Sequence, residues 1–166
     1  MTAICPGSFD PVTFGHLDII GRASSLFGGV IVAVGRNSAK NYLFDLDERV
    51  ELVRAATADI AGVTVLPMSG LLVDFANAHG ASVIVKGLRF ASDFDFELQM
   101  AHINAAVGGV ETVMLPASSS WATLSSTMIR EVASYGGDVS AFVPPVVADR
   151  IRARVTPHDK EPTDGR

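Results

Sequence analysis

The stretch that decides the fold is residues 2–35, "TAICPGSFDPVTFGHLDIIGRASSLFGGVIVAVG". A short apolar run is followed by a turn rich in glycine and proline, then by a helical pattern, then by a second apolar run at 30–34. Leu17, Ile20, Ala23 and Phe27 recur every three or four residues, which gives the helix one apolar face. Both strand segments are apolar nearly throughout instead of alternating, which indicates strands covered on both faces, as in a parallel sheet.

The same unit recurs along the 166 residues. Further apolar runs at 63–67, 82–86 and 111–115 predict three more strands, and helical patterns cover 45–60, 71–80, 92–109, 125–137 and 144–155. Asp45 and Glu48 have the spacing of a capping box, and Pro144 or Pro145 would start the last helix. In the helix at 92–109, we expect Phe94 and Leu98 to pack in the core. This alternation predicts an α/β fold: a doubly wound, five-stranded parallel sheet with helices on both faces.

Composition narrows the function classes. The formal net charge of −5 disfavours non-specific binding of nucleic acid, which needs an excess of Lys and Arg. No apolar run approaches the roughly 18 residues of a membrane helix, and the N-terminus lacks the pattern of a signal peptide. Cys5 is the single cysteine, so no internal disulfide can form, and we expect it to be an inert, buried thiol. We therefore expect a cytoplasmic protein with one domain at 1–155 and a disordered tail at 156–166.

The segments that follow the predicted strands carry most of the residues that could bind a ligand. Ligands of open parallel sheets bind beyond the carboxyl ends of the strands. That edge would collect Ser8, His16, Lys40, Lys86 and Arg89, together with Arg36 and the Ser/Thr-rich helix start at 125–127. Cations, hydroxyls and helix N-termini bind phosphate, so the pattern predicts a polyphosphate site. Taken singly, each residue also has a structural interpretation: His16 could cap a helix, and Lys40, Lys86 and Arg89 could be ordinary surface charges.

The glycine-rich turn extends to a longer motif. Residues 7–16 read "GSFDPVTFGH", and "VKGLR" (85–89), "DFDFELQMAHIN" (93–104) and "LSSTMIREV" (124–132) follow it. The first motif resembles the phosphate-binding signature of the nucleotidylyltransferase superfamily. Together, the four segments resemble the phosphopantetheine adenylyltransferase family over nearly the whole chain up to about residue 155.

This resemblance implies a Rossmann-like nucleotidylyltransferase fold and the transfer of an adenylyl group from ATP to 4′-phosphopantetheine, without a covalent enzyme intermediate. It implies catalytic roles for Ser8, His16, Lys40 and Arg89. It also implies two sets of binding residues. The ATP-binding residues would be Ser8, Phe9, His16, Gly87, Arg89, Glu97, Leu124, Ser125, Ser126 and Thr127. The phosphopantetheine-binding residues would be Ser8, Lys40, Leu72, Lys86 and Asn104.

The resemblance further implies Mg²⁺ bound mostly through ATP phosphates and water, with no metal ligand from the protein. It implies a homohexamer and feedback by coenzyme A. Two alternatives stay open: another small nucleotidylyltransferase, acting on nicotinate mononucleotide or glycerol phosphate, and a nucleotide-binding regulator without turnover. Trp121 could lie beside the nucleotide or simply pack, and His102 is expected to be structural or to lie at a subunit contact.

Overall fold

The protein is described here from a computed structural model, which covers residues 2–36 and 41–155. Five parallel strands form one sheet in the order β3-β2-β1-β4-β5. The strands are β1 Thr2–Gly7, β2 Val30–Gly35, β3 Val63–Met68, β4 Ala81–Leu88 and β5 Glu111–Pro116. The helices are α1 Phe14–Phe27, α2 Leu46–Ala56, α3 Leu72–Ala78, α4 Ala91–Gly108, α5 Ser126–Ser134 and α6 Pro145–Arg154. The predicted fold class is confirmed, and the expected tail at 156–166 lies outside the described residues.

The sheet separates two apolar clusters. Alternate side chains of one strand enter opposite clusters: Val83 and Val85 of β4 pack on one face, and Ile84 packs on the other. The larger cluster also receives α1, α2, α5 and α6. The smaller one receives α3 and is bordered by α4. The helices therefore cover both faces, as right-handed crossovers require when the chain first winds toward β3 and then back past β1 toward β5.

Local signals set the helix ends. The Asp45 carboxylate accepts from the amide of Glu48 at 2.9 Å, and the Glu48 side chain accepts from the amide of Asp45 at 3.1 Å. This reciprocal pair confirms the predicted capping box. Helix α6 begins at Pro145, where the missing amide hydrogen costs nothing.

One prediction about α4 is wrong. Phe94 and Leu98 do not pack in the core of the chain; both are exposed, and so are Phe96, Ile103 and Val107. The only buried residue of this helix is Asn104. The physical reason is that apolar residues lie all around α4, while the sheet and α3 can cover only one side of it.

Candidate active site

A cleft opens at the carboxyl edge of the sheet, where β1 and β4 lie side by side. From β1 the chain adds β2 and β3 on one side, and it then returns to add β4 and β5 on the other side. The place between β1 and β4 is therefore the topological switch point of the sheet. Two adjoining pockets form the cleft: an inner one of about 250 Å³ and an outer one of about 380 Å³. We call them together the rim cleft. They share the lining residues Phe9, His16, Arg89, Ser125 and Ser126.

The turn after β1 forms one wall of the rim cleft. Phe9 adopts a left-handed backbone conformation with φ 49°, which is uncommon for a residue with a side chain. Its ring is buried and meets the His16 ring edge-on, with the centroids 5.1 Å apart. Gly7 is required beside it, because a Cβ at that position would lie 2.9 Å from the Phe9 ring. The glycine and the aromatic residue of the motif therefore pack together to orient the turn and His16.

His16 belongs to the first turn of α1 and takes part in its cap. The amide of Thr13 donates to Nδ1 of His16 at 3.1 Å, and the amide of His16 donates to Oγ1 of Thr13 at 3.4 Å. Because Nδ1 accepts, the neutral ring carries its proton on Nε2. Burial, together with repulsion from Arg89, lowers the pKa of His16 to about 4. At neutral pH the ring is uncharged and can donate one hydrogen bond from Nε2.

Asp10 ties the turn to a segment distant in sequence. Its buried carboxylate accepts hydrogen bonds from the amides of Leu43 and Phe44, at 2.8 and 3.0 Å. The guanidinium of Arg130, in α5, donates to the carbonyl of Asp10 and forms an ion pair with its carboxylate at 3.7 Å. Asp10 is therefore an anchor that connects the turn, the start of α2 and α5.

Arg89 and the start of α5 form the opposite wall. The Arg89 guanidinium pairs with Asp93 at 3.2 Å and reaches toward the carbonyl of Leu124 at 3.4 Å. Ser125 caps α5 by accepting from the amide of Met128, and Ser126 donates to the carbonyl of Pro11 at 2.8 Å. The first amides of a helix have no partner within it, so this helix start and the guanidinium present positive potential to the cleft.

Lys86 and Glu97 face each other in the inner pocket, with Nζ 3.1 Å from Oε1. Lys86 follows Val85 in β4 and so points to the same side of the sheet as Ile84, the side of α3 and α4. Cys5 also lines this pocket. The expected burial of Cys5 is confirmed. Burial raises the pKa of its thiol to about 12, only partly opposed by Lys86, which disfavours the reactive thiolate.

The structure brings most of the predicted site residues together at the rim cleft. Leu72 does not line the rim cleft but packs against the smaller apolar cluster, and Asn104 is buried in α4. Lys40 lies outside the described residues. The residues of the sequence predictions that line the cleft are Ser8, Phe9, His16, Lys86, Gly87, Arg89, Glu97, Leu124, Ser125, Ser126 and Thr127.

The sequence analysis missed several residues at the cleft. Asp10, Arg130, Asn41 and Tyr42 line the outer pocket, and Arg49 lies beneath it. Asp10 stands inside the quoted motif and Arg130 inside "STMIREV", so both residues belong to segments that the sequence singled out. The contact between them joins positions 120 residues apart, which no local pattern indicates. Trp121, for which the sequence left a place beside the nucleotide and a packing role open, lines the inner pocket and also packs on Phe14, with ring centroids 5.3 Å apart.

Within residues 2–36 and 41–155, no three His, Cys, Asp or Glu side chains converge as a metal site. No helix in these ranges has the length and apolar character needed to cross a membrane.

Comparisons with known proteins agree with this geometry. The fold and the cleft define a nucleotidyltransferase of the class described as cytidylyltransferase-like, whose family model matches residues 4–132. A phosphopantetheine adenylyltransferase from a Nocardioides species is 53% identical over 153 residues, covering 92% of this chain and 96% of the relative. Another, from Cutibacterium acnes, is 53% identical over 158 residues, covering 95% of this chain and 100% of the relative. The chain belongs to the phosphopantetheine adenylyltransferase family.

A solved structure of a putative nicotinate-nucleotide adenylyltransferase from Vibrio parahaemolyticus superposes with a TM-score of 0.66. The superposition covers 92% of this chain and 91% of the other chain, at 20% sequence identity. At that identity the likeness shows a shared fold, with no inference about the substrate.

Proposed function

We propose that this chain transfers the adenylyl group of ATP to 4′-phosphopantetheine, giving dephospho-coenzyme A and pyrophosphate. The observation that carries the proposal is the convergence of His16, Arg89 and the start of α5 on one cleft at the switch point of the sheet. Relatives that match more than 90% of this chain are named phosphopantetheine adenylyltransferase.

The reaction needs no nucleophile from the protein. A phosphate oxygen of phosphopantetheine attacks the α-phosphorus of ATP, the new P–O bond forms, and the bond to pyrophosphate breaks. The protein supplies alignment and stabilises the developing charge. Ser8 orients the attacking phosphate, and Nε2 of His16 donates to an α-phosphate oxygen. Arg89 and the amides at the start of α5 hold the departing pyrophosphate, and Lys40 would join His16 at the α-phosphate.

The sheet supports an approach of the two substrates from its two sides. His16 and Ser125, assigned to ATP, lie on elements of the larger apolar cluster, whereas Glu97, also assigned to ATP, lies on α4 and pairs with Lys86. Leu72, Lys86 and Asn104, assigned to phosphopantetheine, belong to the side of α3 and α4. β1 and β4 pair only as far as Ile4 and Ile84, so their carboxyl ends are not joined, and the two phosphates would meet beyond that point.

Mg²⁺ would enter with ATP. Because the described residues converge on no acidic cluster, the donor set fits an ion held by phosphate oxygens and water. When bound, the ion would neutralise part of the negative charge on the phosphates. The unpaired thiol of Cys5 suits a reducing compartment, and we propose the cytoplasm as the location.

We also propose a homohexamer in which α4 lies at a subunit contact. The exposed apolar side chains of this helix support it, with Phe96 63% exposed in the single chain. Coenzyme A contains both the pantetheine and the adenylyl parts of the product, so it would compete for the rim cleft and act as a feedback inhibitor. Native mass spectrometry of the wild type and of Phe96→Glu tests the assembly, and a loss of hexamer in the variant is expected.

The reaction is tested by a pyrophosphate-release assay with Mg²⁺. ATP or CTP would be paired in turn with phosphopantetheine, nicotinate mononucleotide and glycerol phosphate. We expect pyrophosphate release only with the pair of ATP and phosphopantetheine. Release only with another pair would reassign the substrate, and ATP binding without release in any pair would make the chain a regulator.

A further inference from the structure

Arg49 is the most deeply buried charged side chain among the described residues, at 1% exposure. It belongs to the first turns of α2 and its guanidinium points back over the helix start. Nη1 donates to the carbonyls of Ser8 at 2.6 Å and Gly35 at 2.7 Å. Nε donates to the carbonyls of Phe44 at 3.2 Å and Asp45 at 3.3 Å. One side chain therefore joins the ends of β1 and β2 to the start of α2.

The surroundings of Arg49 hold its charge in place, and Arg49 itself does not line the rim cleft. The guanidinium carbon lies 4.1 Å from the centroid of the Tyr42 ring, which adds a cation–π contact. Burial lowers the pKa of Arg49, while Tyr42, Asp10 and Asp45 oppose that shift. An arginine keeps its charge under these conditions, so the rigid fork remains a donor at every working pH.

The contact to Ser8 has a consequence for the cleft. A peptide unit is planar and trans, so its carbonyl and the next amide point in opposite directions. Because the Ser8 carbonyl points toward Arg49, the amide of Phe9 must point away from Arg49. Ser8 and Phe9, the two residues of this peptide, both line the outer pocket. The left-handed backbone of Phe9 is not a relaxed conformation, so this orientation needs support.

We infer that Arg49 is a positioning residue for adenylyl transfer: it fixes the Ser8–Phe9 peptide so that its amide and the Ser8 hydroxyl meet the reacting phosphates. The inference rests on the proposed function. Lysine cannot replace this geometry, because Nη1 holds Ser8 and Gly35 while Nε holds the start of α2, and a single ammonium cannot reach both. Displacement by about 1 Å of a group that aligns phosphates costs on the order of 10²-fold in rate.

The test compares Arg49→Lys, Arg49→Met and the control Arg54→Met by pyrophosphate release. Arg54 belongs to the same helix and also donates to a carbonyl, that of Val65 at 3.1 Å, but it lies away from the cleft. The rate is expressed per ATP-binding site counted by calorimetry, so that unfolded protein does not count. We expect kcat per site to fall about 10- to 100-fold in both Arg49 variants, with the KM for ATP changed less than threefold.

Arg49→Lys keeps the charge and the stem and tests the inference even where Arg49→Met does not fold. A purely structural role would lower the thermal midpoint and leave kcat per site at the wild-type value; that result overturns the inference. An equal loss in Arg54→Met overturns it as well. A wild type without pyrophosphate release would instead refute the proposed function, so the two failures are distinguishable.

Discussion

The amide of Thr13 lies 3.1 Å from Nδ1 of His16 and donates to it. This contact fixes the tautomer of the ring from within its own helix cap, so Nε2 is the donor that faces the cleft. A neutral donor suits a site where negative charge builds on phosphate oxygens, because the hydrogen bond strengthens in the transition state without a charged partner to desolvate.

Replacing His16 by alanine should reduce kcat by on the order of 10²–10³, because a donor to the transition state is lost. Pyrophosphate release with saturating ATP and phosphopantetheine measures it. His79→Ala is a matched control, since His79 stacks on Phe75 and lies outside the rim cleft. Wild-type kcat in the His16 variant would contradict the assigned role.

The lowered pKa of His16 predicts a pH dependence of stability. The unfolded chain binds a proton near pH 6.5, and the folded one only near pH 4. Between these values, the free energy of unfolding should fall with falling pH by about 1.4 kcal/mol per pH unit from this residue, and above pH 6.5 the residue should contribute no pH dependence. Urea unfolding from pH 4.5 to 7.5 tests this, and His16→Gln should show a shallower slope. Equal slopes would refute a depressed pKa.

Lys86 should matter for phosphopantetheine more than for ATP. It pairs with Glu97 in the inner pocket, and Lys86→Met removes the cation that would bind the substrate phosphate. We expect the KM for phosphopantetheine to rise about tenfold, equivalent to about 1.4 kcal/mol of lost binding. The control is Arg152→Met, which breaks an exposed pair with Asp149. A larger effect on the KM for ATP would place Lys86 at the other substrate.

Two glycine substitutions in helices should have opposite effects on stability. A Cβ at Gly108 would lie 2.3 Å from the Cβ of Val73, so Gly108→Ala should destabilise the protein by about 1–3 kcal/mol through overpacking. Gly21, inside α1, has nothing within 4 Å of such a Cβ, so Gly21→Ala should stabilise by about 0.5–1 kcal/mol. Thermal and urea unfolding measure both, and destabilisation by Gly21→Ala would contradict the described packing.

Much of the fold could be predicted because its signals are local. A strand buried on both faces is apolar at nearly every position, and the Asp45–Glu48 cap needs residues only three positions apart. The burial of Phe94 and Leu98 could not be predicted this way, since the sequence does not state how many faces of an apolar helix the same chain covers. The family motif indicated His16; the structure shows its capping role, and its catalytic role stays a prediction.

The missed residues act over long sequence distances through backbone groups. Asp10 binds amides 33 and 34 residues away, and Arg130 binds the Asp10 carbonyl 120 residues away. Any side chain can present a carbonyl or amide, so such contacts leave no pattern of residue types. Arg49 is an example: its partners are four carbonyls, and its spacing in α2 resembles that of a surface arginine.

The unequal covering of the sheet has a consequence for its motions. Local opening is easiest where few apolar contacts must separate. In the single chain, α3 and α4 would thus exchange their amide hydrogens sooner than α1 and β1, whose side chains enter the larger cluster. Among the residues that line the cleft, Glu97 lies on α4, and its ion pair with Lys86 connects this helix to β4 of the sheet. Local opening would therefore reach the side of the cleft that holds Lys86 and Glu97 before the side that holds His16.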